Sequence, residues 1–597
     1  MSGLEVERGA TTEGVPVAPS LAPAVEAARV PVDRVLIDKG VVILCGWAIV
    51  LALMTGVIAQ GLMRLIYFVT NLSFYGRLSF AFVSPADNHL GWKVLFVPVI
   101  GGVIVGFMAR YGSKAIRGHG IPEAMEQVLL NESRIPARVT FLKPLSAAVA
   151  IGTGGPFGAE GPIIATGGAL GSLMGQLLHT TAAERKTLLA AGAAAGMAAT
   201  FGCPVSAVLL AIELLLFEFR PRSIIPVSLA SATATAVRIM FVGTAPMFAM
   251  PAVGRQSGEA LATYAFVGAL VGWLSVYVTR GVYWIEDMFE KLPVHWMWWP
   301  AIGAVAVGLV GYFAPRTLGV GYDNIEGMVS GNLFGQTVAF LCLMKFISWV
   351  VSLGSGTSGG TLAPLFTIGG GCGVVLGELL SLQFPHFGIS PQICALVGMA
   401  AMFAGASRAL LASVVFAFET TLQPLGLLPL LTGCTAGFLV SSLLMRNTIM
   451  TEKLARRGVR VPAEYAADFL DQIGVADACK RDVVMLRADD TLVDVQLELA
   501  NHQGFPVVDA HNNLVGVITR RDYLGKPPET RIGDLVRRPP SVVFLDSSLR
   551  DAADHMVREG VGRMPVVSRE DPRKVVGILT RSDLLAAHAK RLREESS

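Results

Sequence analysis

Long stretches without a single Asp, Glu, Lys or Arg punctuate the first three quarters of the chain: residues 40–63, 260–279, 292–315, 346–377, 379–407 and 420–445. Residues 90–108 are broken only by Lys93, and 188–216 carry only Glu213. Apolar runs of about 20 residues are long enough to cross a bilayer as helices, so the pattern predicts a polytopic α-helical membrane protein. Three Gly/Pro clusters, at 118–122, 152–162 and 354–364, break the pattern. Broken segments at corresponding places in two halves point to an inverted-repeat transporter with its site near the midplane. Non-helical backbone at that depth is tolerated only where protein or a water cavity surrounds it. Any single glycine fits a plainer reading, close helix packing. Three clusters, one carrying an acid, favour the functional one.

From about residue 473 the pattern changes to short apolar strands between charged segments. G-F-P-V-V-D-A-H-N-N-L-V-G-V-I-T-R-R-D at 504–522 is echoed by G-R-M-P-V-V-S-R-E-D-P-R-K-V-V-G-I-L-T-R-S-D at 562–583, with Gly516 and Gly577 61 residues apart. Each unit reads helix, strand, turn, strand, helix, so this is a tandem repeat. At the other end, residues 1–33 are rich in small residues and proline without periodicity and read as a disordered tail. The expected division is a tail at 1–33, a membrane part at 34–455, a linker at 456–472, and two α/β repeats at 473–529 and 530–590.

Composition narrows the class. The chain of 597 residues is 53% hydrophobic and 16% charged, with mean hydropathy +0.57, too apolar for a soluble multidomain protein. A net charge of +3 implies no nucleic-acid partner. The seven cysteines are scattered without a C-x-x-C pair and read as small buried hydrophobes. Residues 1–29 lack a leading apolar core, so no cleavable signal is expected. Lys453, Arg456, Arg457 and Arg460 follow the last apolar run, which by the positive-inside rule places that end in the cytoplasm, where the N-terminus is expected as well. The lack of eukaryotic sorting segments suggests a bacterial plasma membrane. None of the nine histidines begins H-E-x-x-H, which excludes an intramembrane zinc protease. A divalent-cation pore would want several acids at membrane depth. A nucleotide sensor without transport would leave the broken helices without purpose. No nucleophile–base constellation or P-loop is present, so no enzyme and no required cofactor is expected.

The candidate chemistry centres on Glu160, in G-T-G-G-P-F-G-A-E-G-P. It is the only Asp, Glu, Lys or Arg between residues 144 and 183. A carboxylate at membrane depth costs a few kcal/mol or more. Glycine and proline around it free backbone N–H groups at the start of the next helix, and such donors attract an anion. Glu160 therefore reads as a carboxylate that occupies an anion site and can be protonated or displaced.

Three motifs stand at the breaks, G-H-G-I-P at 118–122, G-A-E-G-P at 158–162 and G-G-T-L-A-P at 359–364. On these together the membrane part resembles the CLC family of chloride channels and chloride/proton exchangers. The tail looks like a pair of CBS domains, which in other proteins often bind adenine nucleotides. The resemblance implies a homodimer with one pore per subunit, and two inverted halves of tilted, broken helices. It implies a bound chloride held near His119, Gly120, Ile121, Gly158, Gly161, Thr361, Leu362 and Met450, with Glu160 as the external gate and protons as the partner ion. In the tail it implies that Asp522 and Asp583 take ribose hydroxyls, with Thr519 and Thr580 near the phosphate; many such pairs bind nothing and serve as dimer contacts.

The departures from the family matter. His119 stands where a serine is usual, and Thr361-Leu362 where Ile-Phe is. Leu214, after Glu213 in A-I-E-L-L, stands where exchangers carry an inner proton-relaying glutamate, and Met450 where well-known members have a tyrosine. Leucine carries no proton, and methionine offers only a weak acceptor. Two readings of His119 stand side by side, a donor that titrates near neutrality and a neutral histidine bonded to a carbonyl. Glu213 could substitute as a proton carrier, but pairing with backbone N–H groups is the stronger reading, and Glu419 reads as structural. The expectation is passive or weakly proton-coupled anion transport; the alternative is an antiporter with a substitute inner proton path.

Overall fold

A computed structural model describes residues 39–459, 473–496 and 502–595, together with Ile37, Val461, Leu470 and Glu498. The expected tail at 1–33 and much of the linker at 456–472 lie outside the described residues. The chain divides into two compact units, one over Leu36–Tyr465 and one containing Ala466–Ser597.

The first unit is two runs of eight helices in matching order. One run is α1 Lys39–Thr70, α2 Phe96–Phe107, α3 Ile121–Leu130, α4 Ala137–Gly152, α5 Glu160–Leu177, α6 Ala182–Phe201, α7 Pro204–Ala211 and α8 Pro221–Val242. The other is α9 Gly258–Glu290, α10 Trp299–Phe313, α11 Tyr322–Ser330, α12 Gly335–Gly354, α13 Leu362–Gln383, α14 Pro391–Ser407, α15 Leu410–Thr421 and α16 Leu427–Leu444. A short helix, α17 Glu452–Arg456, follows. Among the described residues eight helical stretches are long and apolar enough to cross a membrane.

The halves match in their breaks as well as in their order. α6 stops at Gly202 (φ +70°) and α14 at Arg408 (φ +62°), each reversing into the next helix through a left-handed residue. The π-turn Ile212–Leu216 that extends α7 ends at Phe217 (φ +52°), and α15 ends at Leu422 (φ +51°). Glu213 and Glu419 make the relation reciprocal. Glu213 accepts the amides of Leu411 and Ala412 at the start of α15, both at 3.0 Å. Glu419 accepts those of Val205 and Ser206 at the start of α7, at 2.9 and 2.8 Å. Mutual capping of this kind follows from a two-fold axis between halves, and the fold is an inverted repeat. The expected apolar run at 188–216 is therefore two elements. Composition is blind to the break because Gly202, Cys203 and Pro204 are as uncharged as their neighbours.

Close packing uses glycine where α5 meets α6. A Cβ on Gly167 would lie 2.1 Å from the Gly192 carbonyl oxygen, and one on Gly192 2.0 Å from that of Gly167. Where α5 meets α6, glycine therefore serves close packing.

The second unit holds two three-stranded sheets. In each, the first strand runs parallel to the second and the second antiparallel to the third: β1 Leu486–Arg487, β2 Gly504–Val508 and β3 Leu514–Thr519, then β4 Val543–Phe544, β5 Arg563–Val567 and β6 Val575–Thr580. Its helices are α18 Val475–Ala478, α19 Arg520–Tyr523, α20 Leu549–Arg558 and α21 Arg581–Glu595. The repeats exchange their leading segments. Val475 is buried in the core of the second repeat with Val543, Leu549 and Leu579, and Lys480 pairs through its backbone with Ile578 of β6. Ile532 and Leu535 are buried in the core of the first repeat with Leu486 and Phe505.

Candidate functional site

The three Gly/Pro loops are stitched to one another by backbone hydrogen bonds. Gly158 and Gly360 exchange N–H···O=C bonds at 3.3 and 2.9 Å, and Gly118 pairs with Thr357 and Gly359 at 3.4 Å each. The starts of α3, α5 and α13 therefore converge. They do so closely enough that only glycine fits: a Cβ on Gly161 would lie 1.9 Å from the His119 carbonyl oxygen and 3.0 Å from the Gly360 Cα.

Glu160 is the first residue of α5 and is 1% exposed. Its Oε1 accepts a hydrogen bond from the Tyr322 hydroxyl at 2.9 Å. Its Oε2 lies over Gly158 and Gly360, 3.1 Å from where a Cβ on Gly360 would sit, and has no hydrogen-bond partner among the described residues. The first intrahelical bonds run from Ile163 to Ala159 in α5 and from Leu365 to Thr361 in α13. The amides of Glu160 and Gly161, and of Leu362 and Ala363, precede them and are helix-start donors; those of Glu160 and Ala363 are turned toward the carboxylate. Donors of this kind carry the positive end of the helix dipole.

The other expected residues fall around this centre with different parts. Thr361 and Leu362 are buried at the α13 start. His119 is buried, and its Nδ1 has no hydrogen-bond partner among the described residues, so it is not held to a carbonyl through that nitrogen. Gly120 is not a free donor: its amide donates to Glu123 Oε2 at 2.7 Å, and its own part is the left-handed turn, φ +100°, that opens α3 at Ile121. Met450 is fully buried, and its amide donates to Thr448 Oγ1 at 3.2 Å. Leu214 is buried in apolar surroundings.

Four residues at the site carry no mark in the sequence reading. Tyr322 opens α11 and reaches Glu160 across 162 positions of chain. Lys143 of α4 and Lys345 of α12 are fully buried, and each stands 19 residues before a motif proline, Pro162 and Pro364. Lys143 Nζ donates to the carbonyls of Ile116 and Gly118 at 2.8 and 2.9 Å, tying the loop into α3. Lys345 Nζ donates to those of Thr317 and Gly319 at 3.0 and 2.8 Å, tying the loop into α11. Each is a buried amine anchoring a loop that leads to the site. Glu123 is the fourth; its Oε1 pairs with Lys453 of α17 at 2.9 Å, and this partner holds the Lys453 ammonium above its usual value. A lone lysine inside an apolar helix was a readable signal; the carbonyls that satisfy it were not.

In the tail unit the two expected nucleotide sites are built alike. Thr519 N and Oγ1 donate to Asp522 Oδ2 at 2.8 and 2.7 Å, and Thr580 N and Oγ1 to Asp583 Oδ2 at 2.8 and 2.6 Å. One oxygen of each aspartate is thus spent on its own helix start. Thr519 and Asp522 line a cavity of about 770 Å³ together with Arg520, Arg521, Arg537, Arg538 and Arg563. Thr580 and Asp583 are not on its wall.

With this geometry in hand, the comparisons are specific. The family model described as voltage gated chloride channel matches residues 101–442, and the CBS domain model matches 475–528 and 532–590. A putative chloride channel protein ClcB-like of Ralstonia nicotianae is 27% identical over 369 residues, covering 61% of this chain and 86% of that one. The H(+)/Cl(-) exchange transporter ClcA of Salmonella arizonae is 28% identical over 443 residues, covering 72% and 92%. The solved structure of a slow cyanobacterial Cl-/H+ antiporter aligns with TM-score 0.64 at 23% identity, over 70% of this chain and 98% of that one. That likeness is one of fold.

Proposed function

Because the chain belongs to the voltage-gated chloride channel family, we propose that it moves chloride and similar small anions across the membrane, with Glu160 as the gate. The observation that carries this is the Glu160 carboxylate itself. It is buried where three helix starts meet, with one oxygen held by Tyr322 and the other unbonded. An ionised carboxylate in that place stands where a halide would stand and competes for the same amide donors. Protonation removes the charge and outward rotation removes the group; either frees the donors. Lys143 and Lys345 lie buried behind the loops that lead to the site, and in their protonated form they favour an anion there.

Transport is passive or weakly proton-coupled. Leu214 offers no proton carrier on the inner side, and Met450 offers no donor to the anion. Glu213 is occupied as a helix cap. A second reading, exchange of chloride against protons, draws on relatives described as H(+)/Cl(-) exchange transporters. It needs a substitute inner path, for which the buried His119 with its unbonded Nδ1 is the candidate. The working unit is a homodimer in a bacterial plasma membrane with both termini cytoplasmic. The tail pair binds an adenine nucleotide in the arginine-lined cavity beside Thr519 and Asp522 and regulates flux, with Thr580 and Asp583 closing the matching site of the second repeat.

Chloride efflux from reconstituted vesicles tests the gate. Glu160→Gln or Glu160→Ala should leave efflux open and abolish its response to pH. An unchanged pH response would remove Glu160 from the gate. Uphill proton movement driven by a chloride gradient decides between the two modes, and a robust signal would overturn the passive reading.

A further inference from the structure

We propose that Tyr322 is the positioning residue of the gate, a clasp whose hydroxyl holds the ionised Glu160 in the anion site and so sets the pH at which the pathway opens. This rests on Glu160 being the gate. Tyr322 donates to Glu160 Oε1 at 2.9 Å, the one side-chain hydrogen bond to that carboxylate among the described residues. The ring packs against two others, edge-on to Phe201 at 5.7 Å and tilted against Phe248 at 6.2 Å. Its backbone is fixed too, because Tyr322 opens α11 directly after the left-handed Gly321 (φ +79°), and Lys345 anchors the loop just before it. A hydroxyl on so rigid a mount has little freedom to follow the carboxylate outward. Tyr322 also borders a cavity of about 40 Å³ shared with Tyr67, Ser84 and Asp323, large enough for a water.

The charged and titratable groups around Glu160 are few. Lys345 of α12 acts on it, Asp323 of α11 acts on Lys345, and Tyr67 of α1 acts on Tyr322. None of these makes a hydrogen bond to the carboxylate, so the Tyr322 hydroxyl is the side-chain contact that distinguishes its ionised form from its protonated form. The bond is stronger to the anion. Losing it makes ionisation harder and the closed position weaker.

The test is chloride efflux as a function of pH in the full-length protein and in Tyr322→Phe, which keeps the ring contacts, with Tyr322→Leu and Glu160→Gln alongside. The expected result is an activation midpoint moved toward alkaline pH by about one to two units in both Tyr322 variants, the scale of a hydrogen bond to a charged group. Efflux well above the midpoint then rises about tenfold per unit. In the Glu160→Gln background Tyr322→Phe should add nothing. A midpoint unchanged in Tyr322→Phe while Glu160→Gln is pH-insensitive overturns the clasp and leaves the gate standing. A shift in Tyr322→Leu alone assigns the effect to the ring and also overturns it. A normal pH response in Glu160→Gln removes the gate and the clasp together.

Discussion

Replacing Glu213 separates a helix cap from a proton carrier. Its two carboxylate oxygens each accept one amide hydrogen bond at 3.0 Å, from Leu411 and from Ala412. Hydrogen bonds to a charged group contribute about 1.5–3 kcal/mol each. Leu411 is half exposed, so its bond belongs at the weak end, while the bond to buried Ala412 is stronger. Glu213→Ala should then cost about 3–4.5 kcal/mol of stability. Glu213→Gln, which keeps one acceptor oxygen and loses the charge, should cost about half of that. Thermal unfolding in detergent reads both costs, and the pH dependence of chloride efflux reads a proton-carrying role. The account expects a lowered unfolding temperature, graded Ala below Gln, and an unshifted pH profile in both. A pH response lost in Glu213→Gln with unchanged thermal stability would make Glu213 a proton carrier and refute the cap.

Two further outcomes concern the tail. His555 of α20 is 2% exposed with its Nε2 unbonded among the described residues, and burial lowers its affinity for a proton, outweighing nearby Glu559 while Arg558 acts the same way as burial. The unfolded chain therefore binds the proton first. Stability is full above the ordinary histidine value and falls as pH drops below about 6.5. Protection of the amides along α20, taken relative to their intrinsic exchange rate at each pH, should fall between pH 7.5 and about 5.5 in the native chain and less so in His555→Leu; an equal fall in both would refute the assignment. In the cavity of the tail, Asp522→Ala and Arg563→Ala should each weaken ATP binding measured by calorimetry, with the arginine variant also flattening the salt dependence; no measurable binding to the native chain would remove the nucleotide reading.

Glu160 was legible because a lone acid among apolar residues is expensive, and the helix-breaking Gly/Pro around it named the kind of partner it needs. The tandem repeat was legible from self-similarity. Tyr322 was not, since a tyrosine at a helix start looks like any other and its partner is 162 positions away. Lys345 was passed over as the edge of an uncharged run, because a cation satisfied by three neutral carbonyls at 2.8–3.5 Å leaves no trace of opposite charge nearby. Gly120 was placed among the donors by its motif, yet its amide had a competitor three residues on, Glu123, in a capping box. The exchange of leading segments between the tail repeats was invisible for a related reason: a repeat shows which residues correspond, not which copy they pack against.

Chloride binding to the purified protein, followed by calorimetry across pH, bears most directly on whether a side chain imitates the ion it excludes. In the native chain affinity should fall as pH rises and the Glu160 carboxylate ionises into the site, whereas Glu160→Gln should bind chloride tightly at every pH. Parallel curves for the two proteins would contradict the account.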